Sequence, residues 1–177
     1  MEFMTQIVEQ TTESPETLAD QDRAARGMMA IGAEFHARGW SLATSSNYSV
    51  RLGVDPLRLL VTASGKHKDR LTPADFALLD SAGAPVEAGA PKSSAETMLH
   101  VVLAEQAGAG AVLHTHSVWG TLLSESEGDS GVLTISGYEM LKALPAVSTH
   151  DTSVDIAILE NTQDIAAMAE ELRGRLA

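Results

Sequence analysis

Two histidines one residue apart, His114 and His116, close a short apolar run that begins at Ala111. Side chains two apart on an extended segment project to the same side, so both imidazoles would leave a strand tip in parallel. Such a pair can offer two nitrogens to one Zn²⁺ or similar divalent ion, and it can equally be two unrelated histidines. Upstream, Thr62-Ala63-Ser64-Gly65-Lys66 places small residues with available backbone N–H groups before a lysine. That pattern can form a phosphate nest, although a Ser-Gly turn is common in any protein. Ser93-Ser94-Ala95-Glu96 has the spacing of a capping box, which on its own makes Ser93 a helix cap and Glu96 its partner. Glu139 and Lys142 lie three apart, the spacing of an exposed ion pair on one helical face.

The elements that must carry these residues follow from periodicity. Ala24, Met28, Ile31 and Phe35 recur at helical spacing over residues 20–38, and Gly39 stops that helix with His36 in its last turn. A turn crowded with small hydroxyl residues, 42–47, precedes an alternating strand through Tyr48, Val50 and Leu52. Residues 57–62 form a second apolar run, so the two read as a hairpin joined through Gly53-Val54-Asp55-Pro56. Residues 67–92 read as a connection with a helix start at Thr72-Pro73-Ala74-Asp75 and a turn over 80–83. A helix follows from Ser93 with Met98, Leu99, Val102 and Leu103 on its apolar face, ended by Gly108 and Gly110, and His100, four residues after Glu96, packs beneath that glutamate. After the histidine pair come a short helix over 118–123, a polar loop over 124–131 and a strand over 133–135. A helical stretch over 137–144, a strand over 154–159 and a last amphipathic helix over 162–172, capped by Asn161 or Thr162, complete the pattern. Residues 1–19 carry no periodic apolar face and read as a flexible N-terminal tail.

Bulk composition narrows the function classes. The 177 residues suit a single domain with a sizeable core, and 44% hydrophobic against 20% charged residues is a globular balance. Twelve basic against 24 acidic residues give a formal charge of −12, which repels nucleic acid and anionic membrane alike. An anionic substrate must therefore be captured by a local site against the global field. With no cysteine, disulfides and thiolate metal sites are excluded. No membrane-length apolar run or basic-then-apolar leader is visible, and the expected location is the cytoplasm.

Thr44-Ser45-Ser46-Asn47, Thr62-Ala63-Ser64-Gly65-Lys66, Ser93-Ser94-Ala95-Glu96 and His114-Thr115-His116-Ser117 stand in the order seen in the class II aldolase/epimerase family, which the chain resembles over residues 20–177. Within it, Gly65-Lys66-His67-Lys68-Asp69-Arg70-Leu71, Ser94-Ala95-Glu96-Thr97, Tyr138-Glu139-Met140-Leu141-Lys142 and Glu160-Asn161-Thr162-Gln163-Asp164-Ile165 resemble the dehydratases that act on a methylthioribulose phosphate in methionine salvage. The resemblance implies an α/β fold of three αβα layers with a mostly antiparallel central sheet. It also implies a homotetramer with active sites at subunit contacts and one Zn²⁺ per subunit, with His114 and His116 as two of three histidine ligands. The phosphate site it implies is Asn47, Ser64, Gly65 and Ser94, with Lys142 as a further partner in the dehydratases. Ala95 stands where the family has a second serine, which removes one contact.

The implied chemistry suits these residue types. Losing water from a ketose phosphate requires removal of a weakly acidic C3 proton and expulsion of a poor leaving group from C4. A divalent ion on the C2 and C3 oxygens acts as Lewis acid, one carboxylate takes the proton and a second group protonates the departing hydroxide. The resemblance assigns Glu96 as base and leaves Glu139 as acid. A class II aldolase or epimerase would use the same metal, phosphate site and Glu96 without needing Glu139 and Lys142. A binding scaffold without catalysis is the other alternative, because the family's third histidine lies in a strand beyond the last helix of this chain. Of the other histidines, His36, His67 and His100 sit in helix or loop contexts before the pair, leaving His150 as the remaining candidate. The expectation is a domain over 20–177, truncated at its C-terminus and lacking a strand-helix unit.

Overall fold

The computed structural model describes residues 15–177. The expected tail lies outside the described residues up to position 14, and its last part is helical. Helix α1 spans Pro15–Ala37, starting five residues before the periodic apolar face. Gly39, at φ +74°, takes the left-handed conformation that ends it. Strands β1 (Asn47–Val54) and β2 (Leu57–Thr62) form the expected antiparallel hairpin, with a bulge between Arg51 and Gly53.

The connection over 67–92 contains a strand that periodicity does not reveal. Thr72 and Asp75 make a capping box around a single turn at Pro73–Asp75, and β3 (Phe76–Leu79) follows and pairs with β2. All four β3 residues are buried, so the strand has no polar face to alternate with. The expected turn at 80–83 is present, with the Asp80 carboxylate accepting from the Ala82 and Ala84 amides.

Helix α2 (Thr97–Gln106) and strand β4 (Ala111–His114) come next, and the four-stranded antiparallel sheet runs β3-β2-β1-β4. Both faces of this sheet are covered. Leu60, Phe76 and Leu78 pack with Met28 of α1, whereas Leu57, Leu59, Val61, Ala77 and Leu79 pack with Val101 and Ala104 of α2. Helix α3 (Val118–Ser126) follows β4. Strands β5 (Val132–Ser136) and β6 (Ser153–Ala157) pair only with each other, as a separate two-stranded sheet. Residues 139–143 are one 3₁₀ stretch, and helix α4 (Ile165–Leu176) packs on α2. The last helix starts later than expected because Asp164, whose carboxylate accepts from the Ala167 amide at 3.0 Å, is its cap rather than Asn161 or Thr162. Among the described residues no helix is long and apolar enough to cross a membrane.

Two close approaches bring the 62–70 segment against its neighbours. A Cβ on Gly32 would stand 2.5 Å from the Lys68 carbonyl oxygen, so only glycine lets α1 lie against the 68–70 turn. The Ala63↔Ser93 bridge, with the Ala63 amide donating to Asp75 and the Ser64 amide to Lys92, draws the 62–66 turn beside the start of α2.

Candidate active site

The register of β1 against β4 sets Asn47 directly opposite His114, so their side chains share a face. The strand ends at His114, and the His116 amide donates to the Trp40 carbonyl at 2.8 Å. That clip turns the chain so that the two imidazoles stand 4.6 Å apart between ring centroids. The histidine pair expected from spacing thus converges, through a contact with the end of the α1 loop rather than through strand alternation alone.

Glu96 is not the partner in a capping box. Its carboxylate makes no cap bond; Oε2 accepts from Asn47 Nδ2 at 2.6 Å and lies 2.8 Å from His114 Nδ1. Ser94, not Ser93, organises the turn: its hydroxyl accepts from the Glu96 amide and its carbonyl from Thr97. The physical reason is that Asn47 and His114 give the carboxylate stronger partners than the amide of its own turn.

Behind this carboxylate lies a relay that the sequence does not announce. His100 is 2% exposed and bonds through both ring nitrogens, to Ser49 Oγ at 2.7 Å and to Asn47 Oδ1. Burial first, and the nearby His114 second, hold its pKa down at about 4, so it is neutral above that value. Asn47 Oδ1 can only accept, which puts the His100 proton on Nε2 and leaves Nδ1 to accept from Ser49. The Asn47 amide is thereby oriented with its NH₂ toward Glu96. The only signal in the sequence was the four-residue step from Glu96 to His100, which sets His100 beneath Glu96 but says nothing of Asn47 or Ser49.

A cleft of about 270 Å³ is lined by Thr44–Asn47, Ser64, Gly65, Lys68, Ser94, Ala95, Glu96, His116 and residues 161–163. It joins, through Glu96, His116 and Asn161, a groove of about 940 Å³ running past His114, α3 and the end of β6. Asn47, Ser64, Gly65 and Ser94, the expected phosphate residues, all line the cleft. The nest differs in detail: the Ser64 amide is spent on Lys92, and Lys66 pairs with Asp75 Oδ1 at 2.8 Å. Gly65 stays in the left-handed region at φ +71°.

Glu139 and Lys142 line neither the cleft nor the groove. Their side chains bond each other, and the second Glu139 oxygen holds His150 Nδ1 at 2.8 Å. His150 is therefore not brought to the histidine pair. His114 and His116 supply two nitrogens and Glu96 an oxygen, a donor chemistry that suits a divalent transition ion. Among the described residues, however, no group of three His, Asp or Glu side chains is arranged to hold a metal. The chain's own described residues offer part of a metal site and not a closed one.

The chain has relatives among proteins of known name. It is 43% identical over 151 residues to a methylthioribulose-1-phosphate dehydratase of Marinobacter nauticus, covering 85% of this chain and 71% of that protein. It is 45% identical over 150 residues to the enzyme of the same name from Alcanivorax borkumensis, covering 84% and 69%. Among solved structures, the L-fuculose-1-phosphate aldolase of Thermus thermophilus superposes with a TM-score of 0.62 at 25% identity, covering 88% of this chain and 72% of that one. The profile described as Class II Aldolase and Adducin N-terminal domain matches residues 26–177, and the chain belongs to that family.

Proposed function

We propose that this chain carries the catalytic apparatus of a hydro-lyase that dehydrates 5-methylthioribulose 1-phosphate to 2,3-diketo-5-methylthiopentyl 1-phosphate. The observation that carries the reading is Glu96, the N-cap residue of α2, whose carboxylate turns away from the helix and is held by Asn47 and His114 at the junction of the smaller cleft and the larger groove. The identity to dehydratases supports the substrate.

On this reading the phosphate enters the cleft among Ser64, Gly65 and Ser94, and the sugar chain passes Glu96 toward the groove. Glu96 takes the C3 proton, with Asn47 fixing the carboxylate while charge leaves it. The electron pair released at C3 delocalises into the C2 carbonyl and then expels hydroxide from C4. Glu139 donates the proton that makes this water, and the resulting enol becomes the diketone, so substrate equals product plus one water. A divalent ion, Zn²⁺ on this reading, would be held by His114 and His116 and would supply Lewis acidity to the sugar's oxygens. Glu139 is exposed, beside exposed Tyr138 and Met140, which supports its acting on a neighbouring subunit's site in a homotetramer.

The test is incubation of the protein with methylthioribulose 1-phosphate, with and without chelator. Diketone formed and abolished by chelator supports the reading. A retro-aldol aldehyde in place of the diketone would make the protein an aldolase, and no turnover in the metal-loaded protein would leave a binding scaffold.

A further inference from the structure

We propose that Lys68 is the cation that receives the substrate's phosphate, an assignment that rests on the sugar-phosphate reading above. Two lysines flank His67, and spacing favours Lys66 as the one that follows the Ser64-Gly65 turn. The structure separates them. Lys66 is half-exposed and committed to Asp75, whereas Lys68 is 1% exposed and lines the cleft with Ser64, Gly65 and Ser94. Among the described residues no other Lys or Arg lines that cleft.

Lys68 Nζ donates to the Lys66 carbonyl at 2.7 Å, and no carboxylate pairs with it among the described residues. An ammonium has three donors, so two remain available. A buried charge without a counter-charge is costly to fold, and burial accordingly pushes this amine below the ordinary lysine range. That cost is recovered when an anion arrives. Glu96, the one acidic residue lining the cleft among the described residues, is already engaged by Asn47 and His114, so it does not neutralise Lys68. The backbone of Lys68 is fixed from behind by α1, whose Gly32 leaves no room for a side chain at its carbonyl. In a chain of net charge −12, a phosphate dianion needs such a local cation to enter at all. Lys142 is tied to Glu139 and lies outside this cleft.

Calorimetric titration of the full chain with inorganic phosphate tests the assignment, using wild type, Lys68→Met and Lys66→Met. The expected result is binding to wild type, a loss of roughly tenfold or more in Lys68→Met, and no comparable loss in Lys66→Met. Lys68→Met exchanges an unpaired buried charge for an apolar side chain of similar length, so its melting temperature without phosphate should hold or rise. Unchanged phosphate affinity in Lys68→Met, equal losses in both variants, or no phosphate binding to wild type would overturn the proposal. Should Lys68→Met fail to fold, a phosphate-soaked crystal of wild type decides: a phosphate oxygen within hydrogen-bond reach of Lys68 Nζ supports it, and an anion bound elsewhere refutes it. Phosphate binding lost in Lys68→Met, with no turnover of methylthioribulose 1-phosphate by wild type, would sink the dehydratase reading alone.

Discussion

Glu96 holds its place through partners on two other elements, Asn47 from β1 and His114 from β4, and that dependence separates its chemistry from its folding role. Glu96→Gln keeps the shape and the Asn47 contact but cannot accept a proton, so turnover should fall by roughly 10²–10⁴-fold. Exchange of the substrate's C3 proton with solvent should fall with it. Glu139→Gln should stop dehydration yet leave C3 exchange if, as proposed above, Glu139 acts after the proton has gone. Equal exchange in the two mutants would overturn this division of roles. His100 makes a separate prediction about pH. Its folded-state pKa of about 4 lies below the unfolded value of 6.5, so the unfolded chain binds the extra proton between those values. Stability is therefore fully present above pH 6.5 and declines as pH falls toward 4, by at most about 3 kcal/mol from this residue. His116 is shifted down too, chiefly by burial, and adds in the same direction. Asp75 is held below 3.8 by Lys66 and Thr72 against the opposing effect of burial, so its contribution is lost only in stronger acid. Denaturant melts across this range should show a shallower slope of stability against pH in His100→Gln; an unchanged slope would remove His100 from the account.

At the scale of elements, α1 against the 68–70 turn is the contact on which the cleft leans. Gly32→Ala would gain up to about 1 kcal/mol of helix propensity. It would also force a methyl to within 2.5 Å of a backbone carbonyl, overpacking that costs typically about 1–3 kcal/mol. The expected outcome is a lower denaturant midpoint together with weaker phosphate binding, since Lys68 must shift; a midpoint at or above wild type would contradict it. The same elements show what a sequence can reveal. Amphipathic α1 and the β1–β2 hairpin were legible because one period of apolar residues faces one neighbour. Strand β3 was not, since burial on both faces erases alternation and Pro73 beside it imitates a helix start. The histidine pair and the Ser64-Gly65 turn were legible as local spacing. The Gly65–Leu71 run was legible as a resemblance, but nothing in it singles out Lys68, because its burial is imposed by a helix thirty-odd residues earlier. Glu96 imitated a cap for the same reason: its partners are distant in sequence.

For the whole molecule, the unusual feature is how much apolar surface sits on one helix. Helix α3 buries none of its residues, and Val118, Trp119, Leu122 and Leu123 are all exposed, Trp119 by 74%. Their spacing puts them on one stripe, and a stripe of this kind on a folded protein marks a contact with other protein. The α3 residues Gly120, Thr121 and Ser124 also line the groove beside His116, so whatever covers α3 reaches the candidate site. The homotetramer implied by the family resemblance would supply that cover and bring Glu139 to a neighbouring Glu96. Trp119→Glu puts a charge at the centre of the stripe without touching the core, and burying it unpaired at an interface is prohibitive. Light scattering on a sizing column should give a multiple of 18.7 kDa for wild type and a smaller mass for Trp119→Glu, with unchanged circular dichroism. Turnover should fall with association, and Lys68-dependent phosphate binding, which needs only one chain, should persist. A wild-type protein that runs at monomer mass, or a Trp119→Glu variant that keeps the wild-type mass, would show that α3 is not the subunit contact and that Glu139 must reach its site another way.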